Sequence, residues 1–515
     1  MAKATTSVAV REAARASTRA DPSAAPTLRH SVMTPIAVVL LGALLPIALV
    51  VNQVADGAYA EWPWAFVIAT YAGCRLASLV VRGEKRLYTF SYFLYCYLFL
   101  GLAPLVQLSR GVFPSVAPWV EADSNGPALA IILSGMVAFD VGQWVTRRRA
   151  AKPISGTDST ELDVVGTAPS INKQRFDLLV FLTLGLTLIF TGLVGPATFF
   201  QSRTEVFASI DAGVSNGSLA VLMRAAVVAS LLVTFAATVA IIGSRRAKNS
   251  FGLIMLALAL GAASLVITNV VNAPRYLAIV VMVGILAALG IFGTRGRIRI
   301  AFASALAGFI FVFPVLGGFR TSINFMSATG DLEQVLLGGD YDSFAQINNA
   351  VTYVSAEGFE FGRQLIGALF VWVPRDVWEG KPTSTSTLVS QFMGYPFTNV
   401  SSPLWAELLV DFGFIGVVLG FFGLGMLLRR LDDKLELLSS LGRYSGIAGM
   451  VIPFYLVILL RGALLSTVPT LFVMLLCIAF ITSGKKASLI DMDSSEPGVV
   501  RRNLPETRSV KGPRT

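Results

Sequence analysis

Isolated cationic residues are the first feature of the sequence that could do chemistry. Most of the 41 lysines and arginines crowd into short segments between apolar runs, whereas a few stand alone in or beside those runs. A guanidinium group stays charged and can bind phosphate oxygens through two parallel hydrogen bonds. Several of them at one membrane surface would suit a lipid-linked diphosphate. The isolated cations are Arg110, Arg203, Arg224, Arg275, Arg320, Arg363, Arg375, Lys381 and Arg461.

Three of these arginines have settings that favour phosphate binding. The others are interpreted as side chains that simply extend to the lipid surface. Arg275 lies in a tight turn between two apolar runs, and Asn269 and Asn272 before it share a helix face. Polar residues at membrane depth are costly and usually face a cavity. Arg320 follows a glycine pair at the start of a long polar segment, and Arg375 lies between two prolines.

Carboxylates are the second feature, because transfer of a group to a hydroxyl needs a base that takes the proton. Glu407 and Asp411 lie four residues apart at the start of an apolar run, so they share one side of a helix. Either could act as the base. The alternative is a structural ion pair between Glu407 and Arg224, which lies at a similar depth. The preceding polar segment offers further candidates, namely Asp331, Glu333, Asp340, Asp342, Glu357 and Glu360.

Two other patterns predict structure rather than chemistry. Arg75 and Asp140 lie at matching depth in two apolar runs, and charges inside a membrane are usually paired. We expect them to form a structural ion pair. Gly416 and Gly420 lie four residues apart and predict a face for close packing against another helix.

The elements that position these residues follow from composition. The 515-residue chain is 54% hydrophobic and 14% charged, against about 25% charged residues in soluble domains. Charges are missing from runs of roughly 20 apolar residues, and helices that are apolar all round need hydrocarbon around them. The sequence therefore predicts an all-α, polytopic integral membrane protein with a single transmembrane helical domain over residues 34–483.

About twelve membrane spans are predicted. They are 34–54, 62–81, 87–107, 127–145, 177–195, 219–243, 251–270, 276–293, 300–318, 404–428, 446–460 and 467–483. With the N-terminus in the cytoplasm, the cytoplasmic segments hold 31 of the lysines and arginines, and the outer segments hold 8. This bias predicts cytoplasmic N- and C-termini, with disordered tails over 1–33 and 484–515.

One long outer segment, 319–403, is expected to carry the function, since such loops are uncommon otherwise. It contains two helix-like stretches, Tyr341–Val354 and Gly362–Val373. The second is apolar but too short to cross a bilayer, and aromatic residues flank it, so an interfacial or re-entrant position is expected.

Several classes of protein lack support. The single histidine, His30, precedes the first apolar run, and all three cysteines lie inside apolar runs, so neither a metal site nor a disulfide framework is indicated. We find no Walker A loop, no G-x-G-x-x-G and no zinc pattern. The net charge of +10 comes from segments between apolar runs, which favours a membrane over nucleic acid.

Three stretches together resemble the O-antigen polymerase (Wzy) family, the oligosaccharide repeat unit polymerases. The motif-bearing part is 269–416, and the long outer loop before the last three spans fits the family's layout. The stretches are Asn272-Ala-Pro-Arg275-Tyr276, Trp372-Val-Pro-Arg375-Asp-Val-Trp378-Glu-Gly-Lys381-Pro382, and Ser401-Ser-Pro-Leu-Trp405-Ala-Glu407-Leu-Leu-Val-Asp411-Phe-Gly413-Phe-Ile-Gly416.

The resemblance implies a GT-C-like glycosyltransferase of the bacterial cytoplasmic membrane that uses neither metal nor nucleotide. It would move a glycan from undecaprenyl diphosphate to the non-reducing end of a lipid-linked repeat unit at the outer face. Its other expected partners are membrane lipids, a chain-length regulator and a flippase. The resemblance implies a base among Glu407, Asp411 and Asp340. The implied substrate-binding residues are Arg275, Arg320, Arg375, Arg363, Arg224, Asn272, Lys381 and Trp378.

Competing hypotheses remain open. A lipid-linked oligosaccharide flippase or other transporter would need charges along a path through the spans, and here they gather near the surfaces. O-antigen ligases rely on an outer histidine, which this sequence lacks. The first outer loop has Asp56 and Glu61 but no adjacent acidic pair, a departure from metal-dependent GT-C enzymes. A weaker alternative is a cell-wall polymerase with a catalytic outer carboxylate.

Overall fold

The computed structural model describes residues 28–51, 54–150, 170–200, 217–243, 251–269, 273–308, 332–440 and 447–483. Most of the two predicted disordered tails lies outside these ranges. The exception is residues 28–33, which belong to the first helix, so the prediction of disorder through residue 33 is wrong at its end. The regular secondary structure of the described residues is helical apart from one two-residue strand pairing, which confirms the predicted all-α class.

The larger helices follow the predicted apolar runs. They are α1 (Leu28–Val39, the π-helical Leu40–Leu44 and Leu45–Val50), α2 (Trp62–Arg82), α3 (Leu87–Tyr95, the π-helical Cys96–Leu102 and Ala103–Arg110), α4 (Asn125–Ala150), α5 (Lys173–Val194), α6 (Gly217–Gly243), α7 (Phe251–Ile267), α8 (Arg275–Ala288) and α9 (Arg295–Ala307). The segment before the last three large helices contains α10 (Leu332–Leu336), α11 (Ser343–Glu357), α12 (Arg363–Leu369) and α13 (Thr385–Phe392). The chain then forms α14 (Leu404–Ser440), α15 (Ile447–Arg461) and α16 (Leu464–Ile481).

Seven of the described helices are long and apolar enough to cross a membrane, which gives a polytopic membrane architecture. Four shorter apolar helices, Thr34–Val50, Phe251–Ile267, Arg275–Ala288 and Ile447–Arg461, coincide with predicted spans. The predicted span 300–318 coincides with α9 as far as residue 308, and the rest lies outside the described residues. Short strands Ser170–Ile171 and Thr482–Ser483 pair antiparallel and join the start of α5 to the end of α16.

Helix α3 lies at the centre of the bundle. Its apolar length is buried throughout, as expected for a helix without a polar face. Its π-helical segment ends just before Pro104, and the π-helical segment of α1 likewise ends close to Pro46. Because proline has no N–H to donate to the preceding turn, the helix widens there. Around α3, buried side chains from most of the larger helices form one continuous apolar core.

The two ends of the bundle differ. Residues 332–403 gather at the end where α8, α14 and α16 begin and where α3 and α15 end, here called the loop end. At the opposite end α3 begins, and its first turn is capped by Asp432 of α14. The Asp432 carboxylate accepts the N–H groups of Tyr88 and Thr89, both at 3.0 Å, and the Thr89 hydroxyl at 2.6 Å.

The predicted pair of Arg75 and Asp140 is confirmed. Arg75 Nη2 lies 2.6 Å from Asp140 Oδ1, and the hydroxyl of Tyr71 donates to the other oxygen of Asp140. Arg75 also lies over the ring of Phe93, 5.0 Å from its centre. Both charges are therefore matched inside the bundle, which is how membrane proteins usually hold them.

Helix α14 is broken near its start. Gly413 has φ 67° and ψ −164°, far from helical values, and positive φ is favourable mainly for glycine. The chain folds back there, so Gly416 and Gly420 contact Phe412 and Leu408 of the same element. The predicted close packing at Gly416 and Gly420 is therefore present, and its partner is the helical segment that precedes the break at Gly413.

The close approach of α14 to another helix occurs further along, against α4. The Cβ position of Gly425 lies against the backbone of Phe139, and the Cβ position of Gly142 lies against the backbone of Phe422. The two helices therefore meet backbone to backbone, a packing that only small residues permit.

The break at Gly413 yields a test. An added Cβ in Gly413→Ala would meet the Phe359 ring at 2.8 Å and strain the backbone, so we expect a loss of about 1–3 kcal/mol. Gly423→Ala is the matched control, because that helical glycine has open space around its Cβ position. The control should be neutral or stabilising by up to about 1 kcal/mol. Thermal unfolding in detergent measures both, and equal stability of the two variants would contradict the account.

Candidate functional site at the loop end of the bundle

The loop end is built from short helices, as the sequence predicts. The stretch Tyr341–Val354 becomes α11, and Gly362–Val373 becomes the seven-residue α12 followed by turns. A helix of this length cannot span a bilayer. Its side chains Ile366 and Leu369 are about half exposed, as are Phe370 and Trp372 just after it, which fits the expected position at an apolar surface.

A buried group of charges forms where α8, α15 and the start of α11 meet. Arg275 forms an ion pair with Asp340, and Arg461 Nη2 lies 3.0 Å from Asp342 Oδ1. Arg461 also donates to the backbone carbonyl of Asp340 at 3.1 Å and lies over the ring of Tyr276. The Tyr276 hydroxyl donates to the same carbonyl at 3.0 Å. We call Arg275, Tyr276, Asp340, Asp342 and Arg461 the paired-arginine cluster.

The cluster holds two arginines rigidly at low exposure. The Arg275 side chain is 10% exposed, Arg461 is 18% exposed and Asp342 is 2% exposed. Buried charges are tolerated when each has a partner and further hydrogen bonds, and the carbonyl of Asp340 supplies those bonds here. The arginine fork has five N–H donors, so each guanidinium can bond to more than its aspartate.

Backbone hydrogen bonds of neighbouring residues connect Glu407 to the paired-arginine cluster. The N–H of Ser401 donates to Asp342 at 3.0 Å, and the N–H of Ser402 donates to the carbonyl of Arg461 at 3.0 Å. After Arg461 the chain turns into α16, and the N–H of Leu464 donates to Glu407 at 3.3 Å. Glu407 thus lies one short turn of chain away from Arg461.

The hydrogen-bond partners of Glu407 are neutral groups. Besides Leu464, the Thr385 hydroxyl donates to Glu407 at 2.7 Å, and the glutamate is 2% exposed. These bonds run to α13 and α16 rather than to Arg224, so the alternative of an ion pair with Arg224 is wrong. No cation among the described residues forms an ion pair with this carboxylate.

Asp411 has a different position from Glu407 although both lie in the first turns of α14. Its two oxygens accept the N–H groups of Gln364 at 3.0 Å and Leu365 at 2.8 Å. These are the second and third residues of α12, so Asp411 caps that helix from outside its own chain segment. Both oxygens are engaged, and we therefore assign Asp411 to holding α12 in place.

Three of the predicted phosphate-binding residues come together on the loop that follows α12. Arg375 donates to the carbonyls of Lys381 and Pro382, and Lys381 donates to the carbonyls of Val371 and Val373. Arg363 donates to the carbonyl of Gly380 and lies 3.9 Å from Glu360. We call residues 371–382, with Arg363, the cationic loop.

Two cations of the cationic loop, Arg375 and Lys381, form no ion pair with the loop's own Asp376 and Glu379. Arg375 and Lys381 bond to carbonyls rather than to carboxylates. Partial burial and the neighbouring Arg375 lower the pKa of the Lys381 ammonium below its usual value, as like charges do. Trp378 is half-buried in the same loop. An anion beside this loop would relieve the repulsion.

A continuous polar track therefore crosses the loop end. It runs from the paired-arginine cluster, which Ser401 contacts, along the backbone from Arg461 to Leu464 and on to Glu407 and Thr385. Thr385 follows the cationic loop by three residues. The sequence interpretation named Asp342 and Arg461 only within wider sets of candidates, and it missed Ser401 and Thr385. Arg461 had a signal, since it ends an apolar run at a tight turn just as Arg275 begins one.

The remaining predicted site residues are not part of this track as described. Arg320 and Asn272 lie outside the described residues, as do Arg203 and Asp331. Arg224 is half-buried about two turns after α6 begins. In the ranges the structure describes, no three histidine, cysteine, aspartate or glutamate side chains come together as metal ligands would.

Comparison of the chain with protein-family models, with curated proteins and with solved structures finds no match. The chemistry of the site must therefore be argued from its residues and their geometry.

The ion pair of Arg461 with Asp342 can be tested by a double-mutant cycle. Asp342→Asn or Arg461→Gln alone leaves a buried charge unpaired, which we expect to cost about 3–5 kcal/mol. The double variant should lose at least about 1 kcal/mol less than the sum of the two. Asp376→Asn, on the exposed part of the cationic loop, is the control, with a change within about 0.5 kcal/mol. Unfolding in mixed micelles measures the set, and strict additivity would argue against the pair.

Proposed function

We propose that this chain is a bacterial polysaccharide polymerase of the cytoplasmic membrane. In this proposal it crosses the bilayer about twelve times with both ends in the cytoplasm, in a GT-C-like arrangement. It transfers a growing glycan from undecaprenyl diphosphate to the non-reducing end of a lipid-linked repeat unit. The observation that carries the proposal is the polar track. In it the buried carboxylate of Glu407, which forms no ion pair among the described residues, accepts hydrogen bonds from Leu464, just after Arg461, and from Thr385, just after the cationic loop.

The orientation is supported by the distribution of charge between the two ends. At the opposite end the basic residues crowd close to the helix termini, where Arg86 lies 3.6 Å from both Asp433 and Glu436. Arg82 lies in the last turn of α2, and Arg295 begins α9 close to it. Cytoplasmic ends of membrane helices carry such an excess of lysine and arginine. The loop end is then the outer face, where lipid-linked glycans would be joined.

The diphosphate of the donor lipid would lie against the arginines. Arg375 and Lys381 bond to backbone carbonyls rather than to carboxylates, and Arg275 and Arg461 hold two further guanidinium groups in fixed positions. Planar guanidinium forks match phosphate oxygens well. As the glycan leaves, negative charge grows on the diphosphate, and fixed cations stabilise that charge where it develops.

Glu407 is the base in this proposal. The acceptor hydroxyl oxygen attacks the first carbon of the donor glycan, and the bond from that carbon to the diphosphate oxygen breaks. Undecaprenyl diphosphate leaves with the bonding electrons, and the acceptor's proton passes to Glu407. An acceptor hydroxyl would replace the hydroxyl of Thr385, which already donates to this carboxylate at 2.7 Å. Asp340 and Asp342 suit the role less well because each faces an arginine.

No step in this scheme calls for a nucleotide or a metal ion. The donor is already activated by its diphosphate, and the cations of the polar track would stabilise the leaving group. A chain-length regulator and a flippase would act beside such an enzyme, the flippase by supplying lipid-linked repeat units to the outer face.

The reaction can be tested with purified protein and a lipid-linked repeat unit. We expect a ladder of longer glycans to form in the presence of EDTA and without nucleotide. Glu407→Gln should lower the rate by about 100-fold or more, since general bases contribute about 10²–10⁴. Glu121→Gln, an exposed glutamate at the same end of the bundle, should keep the normal rate.

Folding of the Glu407 variant is checked by the same thermal unfolding used for the parent protein, because glutamine can still accept from Thr385. A folded Glu407→Gln protein with a normal rate would remove Glu407 from the mechanism. A protein that moves intact repeat units across vesicles and forms no ladder would be a transporter instead.

A further inference from the structure

An apolar cavity lies inside the bundle, beneath the paired-arginine cluster. It has a volume of about 280 Å³ and is enclosed by α3, α8, α9 and α15, with the turn between α8 and α9. Apart from Tyr276, Ser91 and Ser304, its described wall consists of aliphatic and aromatic side chains and a glycine. No polar group in this wall could replace the hydration of a sugar, so the cavity suits hydrocarbon.

The cavity is elongated along the membrane normal. On α8 its wall extends from Tyr276 to Leu286, ten residues or about 15 Å of helix. This is about half the thickness of the hydrocarbon core. Phe302 stacks on Phe90 with ring centres 3.8 Å apart and forms a flat wall at the deeper end. The cavity wall thus follows the bundle axis, the direction in which a lipid chain lies, over about half the thickness of the hydrocarbon core.

The side of the cavity opens towards the outside of the bundle. Met282 and Leu286 belong to its wall, yet they are 47% and 39% exposed. Both lie in the membrane part of α8, where exposed apolar side chains face lipid. A hydrocarbon chain could therefore enter sideways from the bilayer without crossing a polar surface.

The outer end of the cavity is Tyr276, which also belongs to the paired-arginine cluster. Tyr276 contributes to the apolar wall of the cavity. Its hydroxyl donates to the carbonyl of Asp340, and the guanidinium of Arg461 lies 4.6 Å from the centre of its ring. The preceding residue in the chain is Arg275. An apolar chain that filled the cavity would thus place its polar end beside two guanidinium groups.

We infer that the cavity between α3, α8, α9 and α15 binds the isoprenoid chain of a polyprenyl diphosphate, with the diphosphate beside Arg275 and Arg461. The isoprenoid identity rests on the proposed function, and the two guanidinium groups beside Tyr276 suit a diphosphate head group. A volume of about 280 Å³ is at the small end of ligand pockets and takes up only part of one hydrocarbon chain. A two-chain lipid would leave its second chain outside.

Photocrosslinking tests this inference directly. A photoreactive benzophenone side chain replaces Met282 at the cavity mouth or, as the control, Leu258 of α7, which is 60% exposed to the outside of the bundle. The probe is alkyne-tagged undecaprenyl diphosphate without sugar, in nanodiscs of phosphatidylglycerol. We expect at least about fivefold more crosslinking at position 282 than at 258. Excess untagged undecaprenyl diphosphate should suppress it, while added phosphatidylglycerol or inorganic diphosphate should not.

A cavity-filling variant gives a second readout. In the position-282 protein, Val283→Trp should abolish the crosslink, whereas Val283→Leu should retain it, and thermal unfolding shows whether each is folded. Equal crosslinking at 282 and 258, competition by phosphatidylglycerol, or an undiminished crosslink in a folded Val283→Trp protein would overturn the inference. The probe has no sugar, so crosslinking does not depend on turnover. A positive crosslink without any glycan ladder would reject the polymerase and keep the lipid site.

Discussion

The N–H groups at the start of a helix need acceptors, and in a membrane bundle water cannot supply all of them. An unsatisfied group there costs several kcal/mol. Helix α14 meets this constraint for three other helices with three carboxylates. Glu407 accepts from the first residue of α16, Asp411 accepts from the first turn of α12, and Asp432 accepts from the first turn of α3. The partial positive charge of each helix start in turn stabilises the carboxylate.

These contacts explain why the loop end has a fixed shape. The short helix α12 has only seven residues and cannot be stable alone, yet Asp411 and the break at Gly413 hold it against α14. In the first turn of α14, before the break, Glu407 accepts hydrogen bonds from Thr385 and Leu464. Arg461, at the end of α15, brings Asp340 and Asp342 into the same region. The polar track is thus a consequence of how α14 begins.

The sequence predicted the helices well because the bilayer imposes a simple rule on apolar segments. Comparing the depths of charged residues in the predicted spans was also sufficient to pair Arg75 with Asp140, since two charges inside hydrocarbon have few other partners. It failed for Glu407 and Arg224, because Glu407 lies where loop residues can reach it. Thr385 and Leu464 are neutral donors far from Glu407 in sequence, and no local pattern marks them.

Other features depended on long-range geometry. The spacing of Gly416 and Gly420 indicated close packing but not that the partner was the preceding turn of the same element. From its position in the sequence, Asp411 could be a buried base, but in the structure it caps a helix. Only its contacts with Gln364 and Leu365 distinguish the two roles. Asp342 differs from Asp340 by two residues, yet it alone pairs with Arg461.

The proposed reaction requires that the loop end is the outer face of the cytoplasmic membrane. The most direct measurement is labelling with a membrane-impermeant maleimide in a chain whose three cysteines are replaced by serine. Single cysteines are placed at the exposed positions Glu379, in the cationic loop, and Lys434, near the opposite end of α14. The account predicts labelling at 379 in intact spheroplasts and at 434 only after the membrane is opened. The reverse pattern would place the polar track in the cytoplasm and contradict it.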